Sequence, residues 1–281
     1  MTASHSSLLT HPLAFIGGGN MARSLIGGLL KRGADPSRIR VAEPAEPLRA
    51  ALAADFGVQV FSEAGEAVYG ADTWLFAVKP QVMRTVCESL APRAQAQRPL
   101  TVSIAAGITG AQMQRWLGGG VPVVRSMPNT PAMLGAGVTG LHASDEVDDA
   151  GRQRAELLLS AAGPTVWIDS EAKMDAVTGV SGSGPAYVFL LAEAMEAAAV
   201  SEGLSPEASR TLVLQTVLGA ARMLTESGET PAELRRRVTS PNGTTQAAIE
   251  TFQRGGFEAL VAKAVHAATV RGAELSAAND G

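Results

Sequence analysis

Cysteine is nearly absent. Cys87 stands alone in 281 residues, so neither an internal disulfide nor a cysteine-based metal cluster can form. No stretch approaches the roughly 18 consecutive strongly apolar residues of a membrane-spanning helix. Long basic runs are missing too. With a net charge of −4, nucleic acid or an anionic membrane is a poor candidate for a partner. The first ten residues lack the basic segment, apolar segment and cleavage pattern of a signal peptide, so a cytoplasmic protein with a loose tail over 1–11 is expected. Histidine is scarce as well. His5 and His11 lie in or beside that tail, His142 falls in a predicted strand and His266 in a late helical stretch. No metal site is expected.

Small residues are plentiful instead. Glycine contributes 30 residues and aromatics only 4% of the chain, which suits closely packed helices and many strand-to-helix turns. One stretch organises the rest. Leu13-Ala14-Phe15-Ile16 fits a buried strand, and Gly17, Gly19 and Ala22 follow as a GxGxxA turn. The next helix reads cleanly: Met21, Leu25, Ile26, Leu29 and Leu30 share a face, and Gly33 ends it. Its free first-turn amides would point at the phosphates of a dinucleotide.

A second strand over 39–42 stops at Glu43-Pro44. Glu43 lies 24 residues beyond Gly19, near where a dinucleotide fold places the acid that accepts from an adenosine ribose. Its charge would repel a ribose 2′-phosphate and favour NADH over NADPH; the alternative is an ordinary solvated glutamate. A helix over 47–56, a strand over 58–60 and a helical turn or two over 63–69 come next. An apolar strand over 73–78 then closes at Lys79-Pro80. Lys79 either faces the cofactor or is simply exposed. The pattern repeats with strands over 100–105 and 121–126 and a helix over 109–117. Met127-Pro128-Asn129-Thr130-Pro131 is a rigid turn that holds Asn129 and Thr130 where an open sheet does its chemistry, and Asn129 is counted among the expected cofactor contacts. Strands over 137–143 and 165–168, around a helix over 146–161, bring the total to eight.

Beyond Asp169 strands disappear. Gly182-Ser183-Gly184-Pro185 opens a helix to about 202, and others cover 206–225, the capping box Thr230-Pro231-Ala232-Glu233, the stretch through 252 and 257–275. The expected fold is a Rossmann-like α/β dinucleotide-binding domain with extra strands over 12–169. An all-helical substrate-binding and dimerisation domain over 170–276 follows, with a loose tail over 277–281. Alanine-rich helices such as the one holding Ala192, Ala194, Ala197, Ala198 and Ala199 pack closely but bury little each, which favours a homodimer.

The acid–base inventory is thin. Tyr187 is followed four residues on by Leu191, so the tyrosine–lysine pair of many alcohol dehydrogenases is absent. Carbonyl reduction leaves an alkoxide that needs a proton donor. A site without one suits a substrate that arrives protonated, such as an iminium carbon–nitrogen bond. Ser183 with the Gly184 amide, and the hydroxyl-rich Ser240-Pro241-Asn242-Gly243-Thr244-Thr245, are the candidates for holding a small anionic imine. Helix capping is the alternative role for Ser240 and the threonines.

The ordered set Gly17 to Ala22, Ala77-Val78-Lys79-Pro80, Ser103 to Gly107, Arg125 to Pro131, Asp175 to Tyr187 and Leu234 to Glu250 closely resembles the pyrroline-5-carboxylate reductase family. The resemblance runs from Leu13 to about Leu275. It implies reduction of Δ1-pyrroline-5-carboxylate, a small cyclic imino acid, to L-proline with NADPH or NADH, the last step of proline biosynthesis. It also implies a helical dimerisation domain and an assembly up to a ring of five dimers. The family's cofactor contacts map onto Gly17, Gly18, Gly19, Asn20, Met21, Ala22, Ala77, Val78, Lys79, Pro80, Ala105, Ala106 and Gly107. Its substrate loop maps onto Ser240, Pro241, Asn242, Gly243 and Thr244, and its substrate-contacting threonine onto Thr245. Many relatives carry glycine where Asn242 stands and a non-acidic residue where Glu43 stands, and the second departure puts the common NADPH preference in question. Two rivals remain. A β-hydroxyacid dehydrogenase would need a lysine early in the helical domain, but Lys173 precedes the Gly182-Ser183-Gly184 loop and the next is Lys263. A non-catalytic NAD(P)-binding sensor or assembly protein is the other.

Overall fold

The computed structural model describes residues 12–279 and divides the chain into two units, Met1–Ser183 with Ala267–Gly281, and Gly184–His266. The first is built on an eight-stranded sheet. Its strands are β1 (Leu13–Ile16), β2 (Ile39–Ala42), β3 (Gln59–Phe61), β4 (Thr73–Phe76), β5 (Leu100–Ser103), β6 (Val123–Met127), β7 (Thr139–Ala143) and β8 (Thr165–Trp167), in the spatial order 3-2-1-4-5-6-7-8. All neighbours pair in parallel except β6 and β7, whose register sets Arg125 opposite His142.

The strands carry apolar residues on both faces, as a sheet covered by helices on both sides requires. In β1, Leu13 and Phe15 face one core cluster with Leu25, Ile26, Val41 and Leu75; Ala14 and Ile16 face the other, with Trp74, Phe76, Met83 and Leu90. The covering helices are α1 (Asn20–Lys31), α2 (Glu46–Phe56), α3 (Ala64–Ala67), α4 (Pro80–Gln97), α5 (Gly110–Trp116) and α6 (Asp149–Leu159). Helix α4 has no counterpart among the sequence expectations. Several expected strands end two residues early, as β4 and β5 do, because the apolar run continues into the loop after pairing has stopped.

By packing, residues 170–183, which the expected boundary at 169/170 gives to the helical domain, stay with the sheet-bearing unit. Arg125, only 4% exposed, donates to Asp175 Oδ1 at 2.9 Å and lies 3.5 Å from Glu171 Oε1, while Glu171 Oε1 also accepts from the Gly110 amide. These bonds fasten the 3₁₀ turn Glu171–Lys173, the short α7 (Met174–Val177) and the π turn Thr178–Gly182 to the sheet. The start of the expected tail over 277–281 is helical. Helix α12 (Phe257–Ala278) runs through residues 277 and 278, and Asn279 Nδ2 donates to Gly107 O at 2.9 Å. His5, His11 and the tail over 1–11 lie outside the described residues.

The second unit contains α8 (Gly184–Ser201), α9 (Pro206–Glu226), α10 (Pro231–Arg237), α11 (Thr244–Arg254) and the start of α12. The capping box at α10 forms as expected, Thr230 accepting from the Glu233 amide and Glu233 from the Thr230 amide. Few of its side chains are buried, Ala192, Ser209, Val213 and Leu234 among them, whereas Phe189, Leu190 and Leu260 are all more than 60% exposed. No helix among the described residues is long and apolar enough to cross a membrane.

Candidate active site

Because β1, β4, β5 and β6 run in parallel, their carboxyl ends share one edge of the sheet. The turn Gly17-Gly18-Gly19, the loop Ala77 to Lys79, the loop Ile104 to Gly107 and the turn Met127 to Asn129 therefore sit along that edge. Two of them touch. Gly17 has φ +103°, and a Cβ there would stand 2.7 Å from Ala77 O, so only glycine satisfies both the backbone and the close approach. Around Gly19 a Cβ would meet nothing within 4 Å, and the residue is exposed. Gly19 is the N-cap of α1, without a side-chain cap. The amides of Asn20, Met21 and Ala22 have no intrahelical carbonyl to meet and face the positive end of the helix dipole. The open Gly19 leading to uncapped amides fits the pyrophosphate of a dinucleotide.

Glu43, half-buried at the end of β2, reaches back to this turn. One carboxylate oxygen accepts from the Gly18 amide at 3.0 Å and the other from the Ala45 amide at 3.0 Å. The nearby cation is already committed. Arg49 Nη1 donates to the carbonyls of Glu43 and Pro44 at 2.8 and 2.7 Å, and Arg23 on α1 pairs with Asp55. Lys79 is exposed at the N-cap of α4.

Elsewhere on the edge the expected contacts divide. Ala106 is exposed, but Gly107 (φ +71°) is covered from within its own unit, where a Cβ would stand 3.3 Å from Leu275 Cβ. Asn129 has both ends of its side-chain amide engaged. Its Oδ1 accepts from the Val138 amide at 3.0 Å and its Nδ2 donates to Ser181 O at 3.2 Å. That tie brings the β6 turn to the stretch ending at Ser183.

In the second unit the hydroxyl-rich stretch is a tight turn on a helix start. Gly243 N donates to Ser240 O at 3.0 Å, with Pro241 and Asn242 at the two corner positions. Asn242 takes φ +58°, the left-handed region that asparagine tolerates better than most residues. Its amide is held by Gln246 Oε1 at 2.7 Å. Gly243 is then the N-cap of α11 with no side-chain cap, so the amides of Thr244, Thr245 and Gln246 lie in an uncapped first turn. Thr245 is half-buried in that turn, and Ser240, Pro241, Asn242 and Thr244 are exposed.

Residues 171–275 match the family described as "Pyrroline-5-carboxylate reductase dimerisation", and residues 12–107 match one described as "NADP oxidoreductase coenzyme F420-dependent". A pyrroline-5-carboxylate reductase of Pseudomonas aeruginosa is 54% identical over 267 residues, covering 95% of this chain and 97% of the relative. The chain belongs to the pyrroline-5-carboxylate reductase family. The soybean (Glycine max) pyrroline-5-carboxylate reductase is 40% identical over 270 residues, with 95% and 97% covered. Among solved structures, a pyrroline-5-carboxylate reductase of Coxiella burnetii superposes with a TM-score of 0.92 at 40% identity, covering 95% of this chain and 99% of that one. The Plasmodium falciparum pyrroline carboxylate reductase, solved with NADP bound, gives 0.82 at 27% identity, with 95% and 99% covered.

Membership in the reductase family bears out the resemblance carried by the motifs, and with it the α/β domain followed by a helical dimerisation domain. The acid–base inventory stays thin in three dimensions. His142 Nδ1 is tied to Ile168 O at 3.1 Å, and Lys173 pairs with Asp169 on an exposed turn. Burial pushes the Cys87 thiol up to about 12, which leaves it unreactive at neutral pH. No group of three or more His, Cys, Asp or Glu among the described residues could hold a metal ion. Neither tie of Asn129, to Val138 or to Ser181, nor the brace from Glu43 to Gly18 has a trace in the local sequence, because each joins separate segments of the chain.

Proposed function

We infer that the chain reduces Δ1-pyrroline-5-carboxylate to L-proline, with the substrate ring bound by the Thr245 turn and a reduced nicotinamide dinucleotide by the Gly17 turn. Family membership at 54% identity over nearly the whole chain carries the activity. The residues present fit the cofactor: the exposed Gly19, around which a Cβ would meet nothing within 4 Å, leads into the uncapped amides of α1. When bound, the reduced nicotinamide supplies the hydride.

The chain's own residues have three tasks. The first-turn amides of α11, with those beside Ser183, hold the substrate carboxylate by charge-assisted hydrogen bonds. Thr245 Oγ1 hydrogen-bonds the ring nitrogen and fixes which ring face is presented. The protonated C=N group already carries the proton that a carbonyl substrate would need from the enzyme, so positioning and a fixed field do most of the work. This accounts for a substrate loop, Ser240 to Thr245, that carries no histidine or lysine. It also disfavours the β-hydroxyacid dehydrogenase reading, since Lys173 is spent on Asp169. A sensor that bound the nucleotide without turnover would have no use for the strained, glycine-flanked turn before Thr245.

The finer cofactor preference follows from Glu43. A carboxylate at the end of β2, with Arg49 committed to backbone carbonyls, leaves a 2′-phosphate facing negative charge, and we assign NADH as the favoured donor. The site assignment is tested by Thr245→Ala, measured with pyrroline-5-carboxylate and each nicotinamide. The variant should lose ~10- to 1000-fold in kcat/KM while its cofactor affinity holds. Unchanged turnover would remove Thr245 from the site.

A further inference from the structure

We propose that Asn129 is a positioning residue for the imino-acid substrate, acting through the carbonyl of Ser181 rather than by touching the cofactor. Three observations lead there. The side chain is bracketed by Pro128 and Pro131 in extended backbone (φ −127°, ψ 166°), so its Cα–Cβ direction is set by the chain. Its amide spends one end on Val138 N and the other on Ser181 O. Ser181 O lacks the α-helical donor four residues on, because Pro185 has no N–H, and Asn129 supplies one.

The segment that Asn129 holds is unusual in itself. Thr178–Gly182 is a π turn, closed by Ser183 N donating to Thr178 O at 2.8 Å. Such turns are uncommon and persist where surrounding contacts over-determine them. Here two contacts come from the end of β6. Asn129 supplies the donor to Ser181 O, and Met127 packs so closely that a Cβ on Gly182 would stand 2.5 Å from its Cε. Together they fix where the Ser183 hydroxyl and the Gly184 amide point. The inference rests on the reading of these two groups as part of the carboxylate contact. Only asparagine offers a donor and an acceptor at this reach, so aspartate keeps the bond from Val138 N and sets two acceptors against each other at Ser181 O.

The test is Asn129→Asp in the full-length protein. Steady-state kinetics should show KM for pyrroline-5-carboxylate raised by about tenfold or more, with the NADH dissociation constant, read by fluorescence titration, within about twofold. Hydrogen exchange should accelerate in peptides spanning 178–184 and hold elsewhere in the sheet. Weakened NADH binding with an unchanged substrate KM would make Asn129 a cofactor contact and overturn the proposal, as would unaltered exchange at 178–184. Gly182→Ala, which disturbs the same turn from the Met127 side, carries the test if the aspartate variant does not fold. The same split is expected from it, and faster exchange with an unchanged substrate KM would overturn the proposal. Failure of the unaltered protein to form proline would strike the activity itself, before either variant was compared.

Discussion

A single carboxylate can serve two masters, and Glu43 does. Its two oxygens tie the Gly18 amide to the start of the segment after β2, so it stiffens the glycine turn as well as lending charge to its surroundings. Glutamine removes the charge and keeps one of the two bonds, since its carbonyl oxygen still accepts an amide hydrogen while its NH2 is left facing the other amide. Glu43→Gln should raise kcat/KM with NADPH by roughly tenfold, equivalent to about 1.4 kcal/mol of relieved repulsion, and change the NADH value by only a few-fold. An NADPH value that does not move would mean that the carboxylate never faces the 2′ position. At this scale the sequence was legible wherever the chemistry is local. Asn242, where many relatives carry glycine, takes the left-handed conformation that glycine favours. Gly107 was not understood, because the side chain that covers it, Leu275, is far along the chain.

Among the elements, α4 is the instructive omission. Met83, Cys87, Leu90 and Ala94 form its buried stripe at helical spacing, so the signal was present in the sequence. Pro92 masked it. A proline inside a helix removes the donor to the carbonyl four residues back, here Glu88, and crowds it. Pro92 is exposed, so replacing it forfeits no packing. Pro92→Ala should therefore stabilise the first unit by about 1–2 kcal/mol, the restored hydrogen bond outweighing the added freedom of the unfolded chain. Thermal unfolding followed by circular dichroism would show a higher midpoint, and a lower one would refute the account. Strands fared better because alternate burial on two faces leaves continuous apolar runs, as in Trp74-Leu75-Phe76. Strand direction leaves no such trace, so the reversal at β7 could not be read. Nor could the attachment of residues 171–183 to the sheet, which depends on Arg125 meeting carboxylates about 50 residues away.

At the scale of the whole molecule, the second unit is too apolar outside to stand alone. Helix α8 carries Val188, Phe189, Leu190 and Leu191 in succession, all at least 39% exposed in the single chain, so that this turn of it is apolar on every side. Such a helix is covered on more than one face, and the match of residues 171–275 to a dimerisation family supplies the cover, a second copy. Leu190→Glu would bury an unpaired charge in that contact, weakening association by about a hundredfold or more. Sedimentation should then show the mass of one chain where the unaltered protein shows two or more. A variant that sediments like the parent would move Leu190 off the interface.

The chain leaves its sheet-bearing unit at Ser183 and comes back at Ala267, where Gln112 Nε2 bonds Ser276 O and Asn279 bonds Gly107 O. A growing polypeptide emerging from the ribosome therefore has its nucleotide-binding half nearly assembled long before the last turns needed to finish it are translated. Until then the loop after β5 lacks its cover, and a chain cut before Leu275 would leave it so for good. Completion of the binding surface thereby waits on residues made long after it.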